Sequence, residues 1–227
     1  MSLDTDAIDI LTFDSFSTLV DVEAAASVLE GIADDPAATA SLWRSRAVMY
    51  SLLAGPLDQY TTYSELHRYG LKFAATVHDL SVTDTEIADM NEIYFDLPPF
   101  DDVLPTVEQL YDAGYELYMI TNGEPPMVRG LLDSTQIGNY ITDTISAHEL
   151  KTFKPNAALY QRAAERANAT PSAMAHVSAA VFDVRGAQQI GMQGVWLNRA
   201  GHQTDPFGEQ PTSVVESLHE LADILSV

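Results

Sequence analysis

The sequence contains no cysteine and very little lysine. The absence of cysteine excludes disulfide bonds, zinc sites built from thiolates and a cysteine nucleophile. Lysine occurs only at positions 72, 151 and 154 of a 227-residue chain. No apolar run approaches the ~20 residues that span a bilayer, and the N-terminus lacks the basic and apolar regions of a signal peptide. We therefore expect a soluble, cytoplasmic protein.

Positive charge as a whole is scarce. The chain has 33 Asp and Glu residues against 11 Lys and Arg residues, for a formal charge of -22. This charge opposes binding to nucleic acid or to an anionic membrane, so the expected partner is a small molecule. Because the acidic residues are dispersed and lysine is depleted, the composition suits a cytoplasm whose high salt screens the repulsion. We predict a halophilic protein, the alternative being an ordinary acidic cytosolic one.

The hydrophobic pattern alternates between strands and helices over most of the chain. An apolar, β-rich run at 8–13 predicts a buried first strand that ends at Asp14. Further strands are predicted at 117–120, 140–146, 175–178 and 194–197, and helices at 107–113, 126–132, 157–169, 184–190 and 214–225. This alternation predicts right-handed βαβ units in a Rossmann-like, three-layer α/β core with a mostly parallel sheet.

One long segment, 21–97, breaks the alternation. Helices are predicted there at 36–53, at 64–78 and after a capping box at 83–86, without a convincing strand. We therefore expect a core domain made of 1–20 and 98–227, and a helical cap subdomain of 21–97 inserted after the first strand.

Polar residues gather directly after the predicted strands. They are Asp14 to Thr18, Thr121, Asn122, Lys154 and Ser178 to Asp183. Ligands of open α/β sheets bind at the carboxyl ends of the strands, so this group is a candidate site, although any single member could merely cap a turn or a helix. A carboxylate after a buried strand needs a cationic or hydrogen-bonding partner, and Lys154 can be both for Asp14.

A set of motifs, in order along the chain, resembles the haloacid dehalogenase superfamily and its L-2-haloacid dehalogenase (type II) branch. They are FDSFSTLVD at 13–21, SLWR at 41–44, ITNG at 120–123, FKP at 153–155 with Tyr160, VSAAVFD at 177–183 and GVWLNR at 194–199. Together they span nearly the whole chain. Each motif alone is weak, but the ordered set is specific.

The resemblance implies a two-step hydrolysis that uses no metal and no other cofactor. Asp14 would attack the carbon bearing the halogen, and water would then cleave the aspartyl ester at its carboxyl carbon. Lys154 would keep Asp14 ionised. Arg44, carried by the cap, and Asn122, from the core, would stabilise the departing halide. A homodimer is also implied.

The resemblance assigns supporting roles to other residues. Thr18 and Ser178 would form hydrogen bonds with Asp14, and Asp183 would orient Lys154 or the attacking water. The expected substrate-binding group consists of Thr121, which would hold the substrate carboxylate, Tyr160, which would support the lysine, and Ser15, Phe16 and Phe182. The six histidines lack Glu/His metal spacing, and we assign them structural or surface positions.

Four positions depart from the pattern of the branch. Phe16 stands for Tyr, Ser17 for Gly, Thr121 for Ser, and Ala180 for an Asn that helps hold the hydrolytic water. The loss of that amide predicts ester hydrolysis slower by ~10²-fold or more. Phosphatases of the superfamily carry an aspartate where Phe16 stands, and Phe16 cannot transfer a proton, which disfavours phosphoryl transfer. The alternatives are a phosphatase with a depleted metal site and a non-catalytic binding protein.

Overall fold

The computed structural model describes residues 3–227 and contains a six-stranded, entirely parallel sheet with helices in most of the connections between strands. The strands are β1 Ile10–Phe13, β2 Glu116–Thr121, β3 Ile141–Ser146, β4 Met174–Ser178, β5 Gln193–Leu197 and β6 Ser213–Val215. Their order across the sheet is β3-β2-β1-β4-β5-β6. The predicted α/β fold class with a parallel sheet is confirmed.

The first strand lies at the centre of the sheet. All four of its residues are buried, and Phe13 is in register with Met119 of β2 and Val177 of β4. Because parallel strands end at the same edge, the residue after Phe13 lies beside the loops that follow β2 and β4. Asp14 occupies that position, and its backbone N–H donates to the Val177 carbonyl at 2.9 Å.

The core helices follow the predicted order with shifted ends, except for one short helix at Ala147–Leu150 that the sequence did not predict. They are α4 Val103–Asp112, α5 Pro125–Thr135, α6 Ala147–Leu150, α7 Ala157–Arg166, α8 Val181–Gln188 and α9 Leu218–Ile224. Helix α4 begins before its predicted start and includes Pro105, which is tolerated in a first turn because no intrahelical N–H bond is needed there.

One core element was predicted wrongly. The helix expected at 214–225 is instead the strand β6 followed by the shorter helix α9. Val214 and Val215 suit a strand, but a three-residue strand has no detectable period of its own. Its pairing with β5, in which Val214 lies opposite Trp196, decides the conformation.

Residues 21–97 are helical and contribute no strand to the described sheet. They contain α1 Pro36–Ala54, α2 Tyr63–Val77 and α3 Asp84–Asn91, with 3-10 helices at Val22–Leu29 and Glu92–Phe95. Side chains cap each α-helix: Asp35 accepts from Ala38 N–H, Thr62 accepts from Glu65 N–H, and Thr83 forms the predicted capping box with Glu86. The division into core and cap domains stays a prediction.

Helices α1 and α2 lie in close contact. The Trp43 indole N–H donates to the His67 carbonyl at 2.7 Å, and a Cβ atom on Gly70 would lie only 2.6 Å from the Trp43 carbonyl oxygen. This contact requires glycine at position 70 and brings the Arg44 turn of α1 beside α2. Over residues 3–227, none of the helices is both long and apolar enough to traverse a lipid bilayer.

Candidate active site

Asp14 is held by two side chains at the carboxyl edge of the sheet. Thr18 donates from its hydroxyl to Asp14 Oδ2 at 2.8 Å, and Lys154 donates from Nζ to Asp14 Oδ1 at 2.6 Å. The Thr18 hydroxyl also accepts from the Ala179 N–H at 2.9 Å, which ties the loop after β1 to the loop after β4. Asp14 remains 8% exposed, and it lines the cavity described below. The predicted contacts of Thr18 and Lys154 with Asp14 are therefore present.

Lys154 bridges two carboxylates. Its ammonium lies 2.6 Å from Asp14 and 2.8 Å from Asp183, and its side chain is 2% exposed. Burial by itself would lower the pKa of Lys154, but the two carboxylates outweigh burial and hold the pKa above its usual value. The Lys154 backbone N–H donates to the Asn122 side-chain oxygen at 2.9 Å. Lys154 is thus fixed at both ends as an ammonium ion.

Asp183 anchors the network from the buried side. Its Oδ1 accepts from the Tyr160 hydroxyl at 2.6 Å, and its Oδ2 lies 3.0 Å from His176 Nε2 as well as beside Lys154. Burial would raise the pKa of Asp183, but the charges of His176 and Lys154 hold it well below its usual range. Burial and the nearby Asp183 carboxylate raise the pKa of Tyr160, so its hydroxyl stays a donor.

A glycine on α8 allows the tyrosine to approach. A Cβ atom on Gly186 would lie 2.6 Å from the Tyr160 hydroxyl and 2.8 Å from Pro155 Cβ. No real side chain tolerates such contacts, so any other residue at position 186 would push Tyr160 away from Asp183.

A cavity of about 600 Å³ lies between the strand ends and the helices of 21–97. Asp14, Lys154, Asn122 and Asp183 line it from the core. Aromatic and polar groups enclose the rest of the cavity, and they include Phe16, Arg44, Tyr63, His67, Tyr94, Phe182, Asn198 and Arg199. The arrangement places the Asp14 and Asp183 carboxylates, a buried ammonium and two guanidinium groups around a space of small-molecule size.

Arg44 faces this cavity from α1. Its Nη1 forms an ion pair with Glu23 at 2.8 Å, and the Arg44 side chain is 38% exposed. Its neighbour Arg46 stacks over the Phe73 ring and does not line the cavity. Of these two arginines on α1, Arg44 therefore faces the cavity, and Arg46 packs against Phe73 outside it.

Four sequence-predicted residues have contacts other than those expected. Ser15 and Thr121 form a hydrogen bond with each other at 2.6 Å, and neither lines the cavity. The Ser178 hydroxyl accepts from Ala180 N–H at 3.1 Å, and within residues 3–227 it makes no hydrogen bond to Asp14. Tyr160 contacts Asp183 and not Lys154. The predicted hydrogen bond from Ser178 to Asp14 is therefore wrong for this structure. The predicted substrate contacts of Ser15, Thr121 and Tyr160 stay predictions, whereas Phe16 and Phe182 line the cavity as expected.

Sequence reasoning missed several residues around the site, among them Tyr94, Asn198 and Arg199 of the cavity lining and the three residues described next. Tyr63 and His67 line the cavity from one face of α2, and His176 is fully buried beside Asp183. The i,i+4 spacing of Tyr63 and His67 places them on one helix face, and that spacing was a usable signal. His176 stands in a strand that is buried on both faces, where a polar ring needs hydrogen-bonding or charged partners. Its position in the predicted strand was therefore a usable signal of a buried polar network.

Two departures from the branch have structural consequences. Ser17 has a left-handed backbone with φ of 68°, a conformation that favours glycine. Ala180 precedes α8 as its N-cap without a side-chain hydrogen bond, and it lines the cavity beside Asp183. Position 180, where the branch has an Asn amide, therefore lies beside the hydrogen-bond network of Lys154 and Asp183.

The family model, the relatives and the solved structure that match this chain are all dehalogenases or dehalogenase-like hydrolases. A family model of haloacid dehalogenase-like hydrolases matches residues 8–191. (S)-2-haloacid dehalogenase 2 of Pseudomonas sp. (strain CBS-3) is 29% identical over 218 residues, which cover 95% of each chain. (S)-2-haloacid dehalogenase 4A of Burkholderia cepacia is 29% identical over 97% of this chain and 96% of its own. A solved dehalogenase structure, 28% identical, superimposes with a TM-score of 0.92 over 98% of this chain and 99% of that one.

Proposed function

Because the chain belongs to the haloacid dehalogenase-like hydrolases, we propose that it hydrolyses the carbon–halogen bond of a small 2-haloacid. The observation that carries this proposal is the Lys154 ammonium bonded at 2.6 Å to the Asp14 carboxylate at a cavity lined by Arg44. A nucleophilic carboxylate must be ionised, partly desolvated and fixed in direction, and these contacts supply all three conditions.

In the first step Asp14 attacks the halogen-bearing carbon. An Asp14 oxygen forms the new bond to carbon while the carbon–halogen bond breaks, and the halide leaves with the electron pair and inversion of configuration. Arg44 supplies positive charge to the halide. The Asn122 side-chain oxygen accepts from Lys154 N–H, which leaves the Asn122 amide nitrogen as a donor for the ligand. No proton is needed by a departing halide, so Phe16 is compatible with this reaction.

In the second step water attacks the carboxyl carbon of the aspartyl ester. The water oxygen stays on Asp14, the hydroxy acid leaves, and a proton is released to solvent. Lys154 stabilises the negative charge that develops on the ester oxygen, because its ammonium stays within bonding distance of Asp14. Ala180 supplies no amide for the water, so this step limits turnover in our proposal.

The reaction is proposed to proceed without a metal. The Lys154 ammonium lies between the Asp14 and Asp183 carboxylates and neutralises the charge that a cation would otherwise meet. Phe16 cannot donate the proton that a phosphate leaving group requires. These two features favour dehalogenation over the phosphatase alternative.

The test measures halide release from each enantiomer of 2-chloropropionate in the presence of EDTA. The Asp14→Asn variant should fold normally but release no halide. Asp133→Asn changes an exposed aspartate and is the control that should stay active. After a single turnover in H₂¹⁸O the label should appear in Asp14. Label found only in the hydroxy acid, or activity only on p-nitrophenyl phosphate with Mg²⁺, would overturn the proposal. Binding without turnover would favour the non-catalytic alternative.

We also propose that the protein is a homodimer in a salt-rich cytoplasm. The resemblance to the dehalogenase branch supports the dimer, and so does a group of exposed leucines near the end of α1. Leu52, Leu53 and Leu57 are 38%, 43% and 58% exposed on an otherwise acidic molecule. Light scattering across protein concentrations in molar KCl measures the oligomeric state, and a monomer throughout would contradict the dimer.

A further inference from the structure

The buried network contains one ionisable side chain for which the proposed reaction has no role. His176 lies in β4 with 0% exposure. Its Nε2 is 3.0 Å from Asp183 Oδ2, and its Nδ1 is 2.8 Å from the Thr12 hydroxyl oxygen. His176 does not line the cavity, so it has no direct contact with a substrate there.

The surroundings of His176 accommodate a ring that carries protons on both nitrogens. When the Thr12 hydroxyl donates to the Ala175 carbonyl at 3.3 Å, its oxygen can accept a proton from His176 Nδ1, which lies 2.8 Å away. On the other side, Nε2 faces a carboxylate oxygen at 3.0 Å. Nε2 has no aligned hydrogen-bond acceptor within residues 3–227, so its contact with Asp183 is an ion pair, and a positively charged ring is the form that the carboxylate attracts. A ring with protons on both nitrogens is a cation.

A positive His176 also balances the buried charges. Asp14 and Asp183 contribute two negative charges, and Lys154 contributes one positive charge. A neutral His176 would leave one uncompensated negative charge in the interior, which is strongly unfavourable. With His176 positive, the network is neutral as a whole.

We propose that His176 is a positively charged positioning residue that holds the Asp183 carboxylate and, through it, keeps Lys154 against Asp14. The other groups facing its ring are consistent with this role. The Tyr160 ring lies 5.5 Å away and its hydroxyl donates to the other oxygen of Asp183, while Thr12 is uncharged. Asp183 thus accepts hydrogen bonds from Lys154 and Tyr160 and is paired by charge with His176, and these three contacts oppose its turning away from Lys154.

The first test is independent of activity. Nitrogen-15 NMR of the wild-type protein, with the His176 signals assigned by their loss in His176→Gln, reports protonation of each ring nitrogen. We expect both His176 nitrogens to be protonated at neutral pH. A His176 ring with a single proton at neutral pH would overturn the proposal, and this measurement needs no variant that turns over.

The second test uses the pH profile of halide release and rests on the proposed function. His176→Gln keeps a neutral donor toward Asp183 and removes the charge. The pH at which kcat/KM falls on the acid side of its profile should therefore rise by about one unit. The reason is that carboxylates without a nearby cation are protonated more readily. His219→Gln, at a partly exposed histidine bonded to Thr106, should leave this pH unchanged.

The outcomes separate the two proposals. A rate lowered equally at every pH by His176→Gln would indicate a merely structural residue and would contradict the positioning role. If the wild-type protein releases no halide, the dehalogenase function fails, and the NMR result still decides the charge of His176.

Discussion

The ammonium of Lys154 lies 2.6 Å from the Asp14 carboxylate, and 2% of the Lys154 side chain and 11% of the Asp14 side chain are exposed. Buried ion pairs of this kind add little net stability, since desolvation offsets their attraction, but removing one partner is costly. The pair is therefore better explained by chemistry than by stability. It keeps a carboxylate charged where water is largely excluded.

Replacing Lys154 by Met should damage both the fold and the activity. Two buried carboxylates would lose their shared ammonium, and the free energy of unfolding should fall by about 3 to 5 kcal/mol. Urea denaturation measures this loss, and a halide assay should find activity reduced by ~10²-fold or more. Lys151→Met removes an exposed lysine from the same loop and is the matched control. Equal effects of the two substitutions would contradict the assigned role of Lys154.

The stability that Asp183 contributes should depend on pH in a defined direction. Its pKa is held below the value of about 3.9 expected in the unfolded chain. Its contribution is therefore fully present above about pH 5 and is lost as the pH falls through and below the unfolded value. The stability advantage of wild type over Asp183→Asn, from urea titrations at constant KCl, should shrink on acidification. Asp133→Asn, on the surface of α5, should give a difference that stays near zero throughout.

Restoring the amide at position 180 should accelerate the second step. Ala180→Asn should speed decay of the Asp14 adduct by up to ~10²-fold, with the rate of its formation unchanged. Mass spectrometry of quenched single turnovers measures both rates. Because position 180 is the N-cap of α8, Asn should also stabilise the protein by about 1 kcal/mol. Ala180→Ser supplies a cap without an amide, and the same acceleration there would remove the basis for this prediction.

Arg44→Gln should slow formation of the adduct by ~10²-fold without lowering stability appreciably. The Arg44–Glu23 pair is largely exposed, at 38% and 66%, so its loss should cost no more than about 1 kcal/mol. Arg46→Gln is the matched control, because it removes a positive charge from the same helix at a side chain that packs on Phe73. Rapid quenching separates adduct formation from its decay. A normal rate of formation in Arg44→Gln would exclude the proposed contact with halide.

The melting temperature should rise with KCl over the molar range. Repulsion among dispersed carboxylates opposes the compact state, and salt screens that repulsion. Thermal melting in a non-ionic osmolyte is the control, because an osmolyte is excluded from the protein surface but does not screen charge. A melting temperature insensitive to KCl would refute the prediction of a halophilic protein.

Local patterns in the sequence account for several features of this protein. Buried strands with polar residues at their ends predicted the parallel sheet and placed Asp14, Asn122 and Lys154 at one edge. Capping residues marked the helix starts of the 21–97 segment, since Asp35 and Thr83 satisfy N–H groups within their own turn. Each of these signals involves residues close together in the chain, so the sequence alone carries them.

The remaining features depend on contacts between residues far apart in the chain. Strand β6 exists because β5 pairs with it, and no three-residue pattern reports such pairing. The hydrogen bond between the Ser15 and Thr121 hydroxyls joins residues 106 positions apart. His176 and Asp183 are near in sequence, but Lys154 and Tyr160 come from another loop and helix, and only the fold brings all four into one network. Sequence therefore determined which groups reach the sheet edge, and tertiary packing alone decided which of them touch and which carry charge.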